Sequence, residues 1–352
     1  MRILQVMAGG KRGGAETAFV DMCLALHEAG ETIEVVTRAN DVRVPPLQKA
    51  GITVHTLPFG GKIDVFTTWR MAKIIKAFKP DIVQTWMSRG SSKVPPWRES
   101  MNIPRYLVVA RLGGYYKLKY FKPVEYFIGI TPDICRYLIE EGVLEDRVKQ
   151  ISNFAETEEV DVPIKRADYD TPADVPLLLG LGRLHPSKAF DTLIKVTAAI
   201  PQAYLWIAGE GPQRAELEAL IKRLKVGERV KLLGWRSDRA ALFQAVDICV
   251  FSSRFEPFGT VFVQSWAQKT PLVTTASDGP RQFVHDGEDG LVVPIDDIDA
   301  MREAIEKIMN NKRLAQRLVE NGYARYSSEF TKEICLRNYL KHYHTIRSRE
   351  EL

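Results

Sequence analysis

Cysteine is scarce in this chain. Cys23, Cys135, Cys249 and Cys335 are widely separated, and none forms a Cys-x-x-Cys. That spacing argues against a thioredoxin-like redox motif or a zinc knuckle and reads as buried, reduced thiols of a cytoplasmic protein. The histidines show no metal-ligand spacing. His342 and His344 are two apart and would leave a helix in different directions, so no metal site is expected. No apolar run approaches the ~20 residues a membrane-spanning helix needs. The opening MRILQVM is short and lacks a small-residue cleavage site, so it reads as a first strand rather than a signal peptide. Neither a Gly-x-Gly-x-x-Gly dinucleotide fingerprint nor a Walker phosphate loop occurs. No nucleic-acid recognition motif occurs either, so no nucleic acid partner is expected.

Acidic residues are nearly missing from one long stretch. Between Val42 and Pro123 stand fifteen Lys and Arg residues against Asp64, Asp81 and Glu99. An excess this large is more than a balanced solvated surface needs and suits an anionic partner: nucleic acid, phospholipid or a phosphorylated substrate. Within it lies Tyr115-Tyr116-Lys117-Leu118-Lys119-Tyr120-Phe121-Lys122. Aromatics interleaved with lysines suit docking of a peripheral protein on an anionic lipid surface. A strand connection with surface lysines explains the same run equally well.

At 352 residues the chain is too long for one ordinary core and suits two domains. ILQVM, TIEVVT, ITVHTL, DIVQTW, YLVVAR and YFIGIT read as strands separated by helical patterns. A polar, acid- and proline-rich stretch follows. PLLLGLG, AYLWIAG, RVKLLG, DICVFS, TPLVTT and GLVVP then repeat the rhythm. Strands alternating with helices predict an α/β fold of two Rossmann-like, doubly wound parallel sheets facing across a cleft. The expected boundaries are a first domain at 1–155, a linker at 156–176, and a second domain at 177–330. A final helix at 331–352 is free to cross back to the first domain.

In such sheets ligands bind where strands end and helices begin, and four motifs fall there. AGGKRGGAET, residues 8–17, follows the first strand; Gly13 and Gly14 can bring backbone N–H groups to a phosphate or sugar. GLGRLHPSKAFDTLI, residues 180–194, sets Arg183 after a strand and Lys188 near a helix start. A planar fork and a mobile point charge together suit a diphosphate. GEGPQRAELEALI, residues 209–221, places Glu210 in a turn that is as well explained by ordinary architecture as by ligand contact. SRFEPFGTVFVQSWA, residues 253–267, carries Glu256 in a turn, with Phe258, Gly259 and Thr260 opening a helix and Gln264 about two turns past Glu256. A helix N-terminus stabilises phosphate oxygens that gain charge on leaving.

Taken in order, with ISNFAE at residues 151–156 and the TPLVTT…DGEDGLVVP tail, these motifs resemble the retaining GT-B glycosyltransferases of family 4 (group 1) over nearly the whole chain. The stretch VARLGGYYKLKYF is similar to enzymes that build lipopolysaccharide core or other bacterial surface glycans. The resemblance implies a hexosyltransferase needing neither cofactor nor metal. Its co-substrate is a nucleoside diphosphate sugar, UDP-linked by preference and GDP-linked next, and its acceptor an anionic glycan or glycolipid. It implies catalytic roles for Glu256, Arg183 and Lys188. Donor contacts are implied from Gly13, Gly14, Glu210, Phe258, Gly259, Thr260 and Gln264. It also suggests a cytoplasmic enzyme working at the inner face of the membrane.

The chain departs from the pattern in places. Gln264 stands where a ribose-binding glutamate is usual, and Gln282 where an acid is common. Glutamine offers one carbonyl acceptor in place of a carboxylate, which tunes nucleotide affinity by ~1–2 kcal/mol without removing the chemistry. Arg111 stands near where relatives carry a histidine; with Lys117 and Lys119 it is a candidate for a phosphate on donor or acceptor. Asp168-Tyr169-Asp170 and Asp297-Ile298-Asp299 read as solvated or capping acids, not metal ligands. Two other readings stay open: a non-catalytic, nucleotide- or glycan-binding partner subunit marked by the two glutamines, and a nucleotide-sugar epimerase on the same fold.

Overall fold

Continuous apolar runs such as ILQVM and LLLGL bury both faces of a strand, which requires a sheet covered on both sides. The computed structural model describes residues 1–11, 13–61, 64–156 and 160–352. Arg12 of the glycine-rich loop, Lys62 of the basic stretch and residues 157–159 of the expected linker lie outside the described residues. The chain divides into two units, residues 1–153 with 332–352, and residues 154–331.

The first unit holds β1 (Arg2–Met7), β2 (Thr32–Thr37), β3 (Thr53–Thr56), β4 (Ile82–Trp86), β5 (Leu107–Leu112), β6 (Tyr126–Gly129) and β7 (Val148–Gln150). They form one parallel sheet in the order β3-β2-β1-β4-β5-β6-β7. Register is set by apolar partners such as Ile3 opposite Ile33 and Ile82. Local chemistry fixes the helices. Val65–Phe78 starts where the Asp64 side chain accepts from Thr67 N and ends where Lys79 turns left-handed. Thr131 caps Pro132–Glu140, with proline in its first turn.

The last helix, Lys332–Arg349, belongs to this first unit and buries Cys335, Tyr339, His342, Tyr343 and Ile346. Its Tyr343 hydroxyl donates to Gln84 Oε1 on β4. Glu350, just past the helix, accepts from Tyr126 at 2.6 Å, Arg105 at 2.9 Å and Arg147 at 2.8 Å.

The second unit holds β8 (Leu177–Leu181), β9 (Tyr204–Ala208), β10 (Val230–Gly234), β11 (Ile248–Phe251), β12 (Leu272–Thr275) and β13 (Leu291–Val293). They form a parallel sheet ordered β10-β9-β8-β11-β12-β13. One apolar core joins β8, β9 and β11 to the helices Phe190–Ala199, Arg214–Leu224 and Ile298–Asn310. Each fully buried Leu, Ile or Val there contributes roughly 1.5–3 kcal/mol relative to exposure.

The described part of the stretch expected to be a linker packs onto this second unit. Arg166 donates to Ala245 O at 2.8 Å, Val175 O at 2.9 Å and Asp247 at 3.1 Å, and buried Trp206 donates to Thr171 Oγ1 at 3.0 Å. Of the Asp-x-Asp acids, Asp297 caps Ile298–Asn310 through Ala300 N, and Asp170 pairs with Lys231. The cysteines are free, and burial pushes the Cys249 and Cys335 thiols up to about 12.

Candidate active site

The strand order of the second unit reverses between β8 and β11, and ligands of open parallel sheets settle outside the strand ends at such a point. The two loops leaving these strands carry Arg183, Lys188 and Glu256. After β8 the chain presents Arg183, exposed and, among the described residues, without a side-chain partner. It then makes one tight turn, Pro186–Lys188, and passes through a left-handed Ala189 into the helix Phe190–Ala199. The Lys188 carbonyl accepts from Ser252 Oγ at 2.9 Å, tying the turn to the loop after β11. The Lys188 ammonium donates to Glu256 Oε2 and lies 5.6 Å from the Phe251 ring centre. Their side chains are 20% and 18% exposed, so the pair is shielded yet reachable.

The loop bearing Glu256 is held by a residue that sequence reasoning passed over. Arg254 grips Asp191 with Nη1 at 2.9 Å and Nη2 at 2.8 Å, Asp296 with Nε at 2.6 Å, and the Pro186 carbonyl at 2.8 Å. These bonds to Asp191 and Asp296 raise the guanidinium further above its ordinary value, and Arg254 leads in holding the Asp296 carboxyl below the usual carboxylate range. A planar fork bonded on three sides fixes the loop carrying Glu256 against the turn carrying Lys188. Its sequence signal was an arginine directly beside Phe255-Glu256, which looked like a ligand contact no more than any other cation.

Gly259 follows at φ 90°, and a Cβ there would lie 2.5 Å from the Phe251 ring and 3.0 Å from Glu256 Cγ. Only glycine takes this turn without strain. It opens the helix Thr260–Ala267, whose start has no side-chain cap, leaving its first N–H groups available beside Glu256. Phe258 turns its ring into the core, 5.3 Å from the centres of both Phe262 and Phe283, so only its backbone faces the loop. Gln264 sits half-buried on the helix, its amide without a side-chain partner among the described residues. Behind the loop, Gly279 N donates to Glu256 O at 2.7 Å, and a Cβ on Gly279 would lie 1.9 Å from the Phe258 carbonyl. Gln282 turns its amide back onto the Asp278 carbonyl.

Glu210 behaves differently. Its loop locks onto the Arg183 loop through Leu184 N to Glu210 O at 3.0 Å and Gln213 N to Leu184 O at 3.1 Å. Its carboxylate, however, pairs at 2.7 Å with Arg214, the first residue of the helix that follows the loop. The structure therefore brings together Lys188, Glu256, Gly259 and Thr260, with Arg183 on the adjoining loop, and occupies Glu210 elsewhere.

In the first unit the helix Gly14–Glu28 starts at Gly14, with Gly13 extended before it and open space where a Gly14 side chain would stand. Glu16, in the first turn of this helix, reaches back to the loop: its Oε1 accepts from Gly10 N at 2.6 Å, and a Cβ on Gly13 would lie 2.5 Å from its Oε2. Arg43, counted from the sequence only as one cation of many, is 2% exposed. It braces the loop, donating to Gly10 O at 3.1 Å and Thr37 Oγ1 at 2.9 Å, while its Nη2 has no hydrogen-bond partner among the described residues. Burial lowers its basicity.

Arg111 lies inside β5, opposite Trp86 and Ile128, and is 2% exposed. It stands over the Trp86 ring at 4.5 Å and donates to Asn153 Oδ1, with Tyr339 beside it. Lys117 and Lys119 lie exposed on the connection after β5, and among the described residues no contact joins them to Arg111. No group of three or more His, Cys, Asp or Glu side chains converges to hold a metal among the described residues.

Residues 161–325 match the family described as Glycosyl transferases group 1, and residues 13–98 match the Glycosyl transferase 4-like domain. The chain is 34% identical over 344 residues to the lipopolysaccharide core biosynthesis glycosyltransferase LpsE of Rhizobium meliloti, covering 94% of this chain and 96% of that one. It is 30% identical to LpsD of the same organism, covering 97% of each. The crystal structure of Anabaena HepE in complex with UDP and glucose has a similar fold, with a TM-score of 0.83 at 20% identity over 98% of this chain and 100% of that one.

Proposed function

This chain belongs to the group 1 glycosyl transferases and has their GT-B fold, and from that premise we propose that it is a retaining, metal-independent hexosyltransferase of lipopolysaccharide core assembly. The donor in this reading is a UDP-sugar, the nucleotide found with HepE. The acceptor is an anionic glycan or glycolipid, suited to the basic stretch from Arg43 to Lys122. The observation that carries the proposal is the Lys188–Glu256 pair beside the uncapped start of the helix Thr260–Ala267, at the β8/β11 switch point.

Each group has a task there. Arg183 and Lys188 neutralise the diphosphate. The N–H groups at Gly259 and Thr260 take the oxygens that gain charge as the bond between the anomeric carbon and the phosphate oxygen breaks. Glu256 holds sugar hydroxyls, and Gln264 meets the ribose. The acceptor hydroxyl attacks from the face the diphosphate leaves. Its oxygen bonds to the anomeric carbon and its proton passes to the departing phosphate oxygen.

The test is melting of the purified protein with UDP, GDP, ADP or CMP, without added metal, followed by UDP-sugar transfer. A nucleotide at a hundredfold its dissociation constant adds ~2.7 kcal/mol to the folded state. UDP is expected to raise the melting temperature most. The absence of a shift with every diphosphate would return the chain to the non-catalytic reading.

A further inference from the structure

The helix Val65–Phe78 carries a surface that the transfer reaction does not use. Its sequence, VFTTWRMAKIIKAF, contains no acid. Thr67, Met71, Ile75 and Phe78 face the core, while Val65 is 76%, Phe66 48% and Trp69 53% exposed. Exposed large apolar side chains are ordinary when scattered singly, but these three share the first two turns of one helix. Arg70, Lys73 and Lys76 are exposed along the same helix. The Lys73 ammonium stands 3.7 Å from the Trp69 ring centre, and the Arg70 guanidinium 5.2 Å from that of Phe66. The nearby acids are occupied. Asp64 accepts from Gly60 N at 2.6 Å and Thr67 N at 2.9 Å, and Glu34, across the neighbouring groove, pairs with His55 at 2.7 Å.

We propose that this helix docks the protein on an anionic phospholipid surface, with Val65, Phe66 and Trp69 in the headgroup layer and Arg70, Lys73 and Lys76 on the lipid phosphates. The charge supports a bilayer: the exposed face is cationic and apolar together, and no free carboxylate on the helix opposes a phosphate layer. The run Tyr115–Lys122 is a weaker anchor. Phe121 is buried, Tyr116 O is held by the Tyr137 hydroxyl at 3.1 Å, and the Tyr115 ring packs edge-on against Tyr137 at 5.4 Å. This surface does not depend on the catalytic reading, and the two fail separately.

The experiment is co-sedimentation of the full chain with vesicles of phosphatidylglycerol and phosphatidylcholine, against phosphatidylcholine alone. Phe66→Ser/Trp69→Ser is expected to lower partitioning roughly tenfold, and Lys73→Ala/Lys76→Ala about fivefold per cation. Tyr115→Ser/Tyr120→Ser should match the parent. All these positions are exposed, so unchanged melting temperatures report intact folding. The proposal is overturned if the parent stays in solution, if it binds uncharged vesicles equally, or if the tyrosine variant alone loses binding. It is also overturned if the helix face instead makes a dimer that Phe66→Ser/Trp69→Ser dissolves.

Discussion

Replacing Glu256 by glutamine is expected to tighten UDP binding while suppressing sugar transfer. Lys188 is already bonded to Glu256, and both side chains are about one-fifth exposed. A diphosphate arriving at Lys188 meets a cation whose charge is partly neutralised and a carboxylate that repels it. A hydrogen bond between charged groups contributes roughly 1.5–3 kcal/mol, and an exposed ion pair about 0–1. Partial shielding, together with the neutral acceptor that glutamine retains, puts the gain near the lower figures, ~1 kcal/mol, or about fivefold in affinity. UDP lacks the transferred hexosyl group, which is what Glu256 holds in the proposed mechanism, so removing the carboxylate costs the nucleotide no contact. Transfer by the proposed mechanism needs that group, and its rate should fall about 10²–10³-fold, the usual effect of losing a group aimed at the reacting centre. Titration calorimetry with UDP and a radiolabelled transfer assay read the two effects. Weaker UDP binding in Glu256→Gln would refute the reasoning, because the carboxylate would then be helping the nucleotide rather than competing with it.

Gln264→Glu restores a second carboxylate oxygen at the ribose and is expected to bind UDP up to about tenfold tighter; an unchanged dissociation constant would remove Gln264 from the donor site. His342 gives a stability prediction. Burial, with a smaller effect of Lys149, lowers its pKa from 6.5 to about 4. Above pH 6.5 the imidazole is neutral in both states and contributes no pH dependence. As pH falls from 6.5 to 4, the unfolded chain takes up a proton that the folded protein refuses, so folding weakens, by ~3 kcal/mol in all, and levels off below 4. His342→Phe, which keeps a ring against Tyr126, should flatten that slope in denaturant titrations; an identical acid slope in both proteins would show that another group is responsible.

Much of this fold is legible before any coordinates, because the twelve apolar runs read as strands each fall on one. The missed strand is β7, Val-Lys-Gln at 148–150, whose side chains are half-buried or exposed and carry no apolar signal. The short helix Met87–Ser91 is missed for the opposite reason: MSRGS has neither length nor period, and it forms because Gly90 lets it press against Val6 O, 3.1 Å from where a Cβ would stand. Arg111 falls within the run YLVVAR, but nothing in that run shows that it is buried and stands over the Trp86 ring of β4. In the active site the order of loops could be read directly. The Lys188–Glu256 pair spans sixty-eight residues and the Arg254 clamp joins three loops, and such contacts between distant segments leave no local pattern.

The first unit is made from two pieces of chain, and this imposes an order on its birth. Residues 154–331 are synthesised between them. At about 5–20 residues per second that interval lasts roughly 10–35 s. Throughout it Gln84 on β4 waits for Tyr343, and Arg111 on β5 for Tyr339. The second unit, continuous in sequence, has no such wait. The nascent protein thus reaches its last stage with every residue of the second unit made and the first still lacking its closing helix.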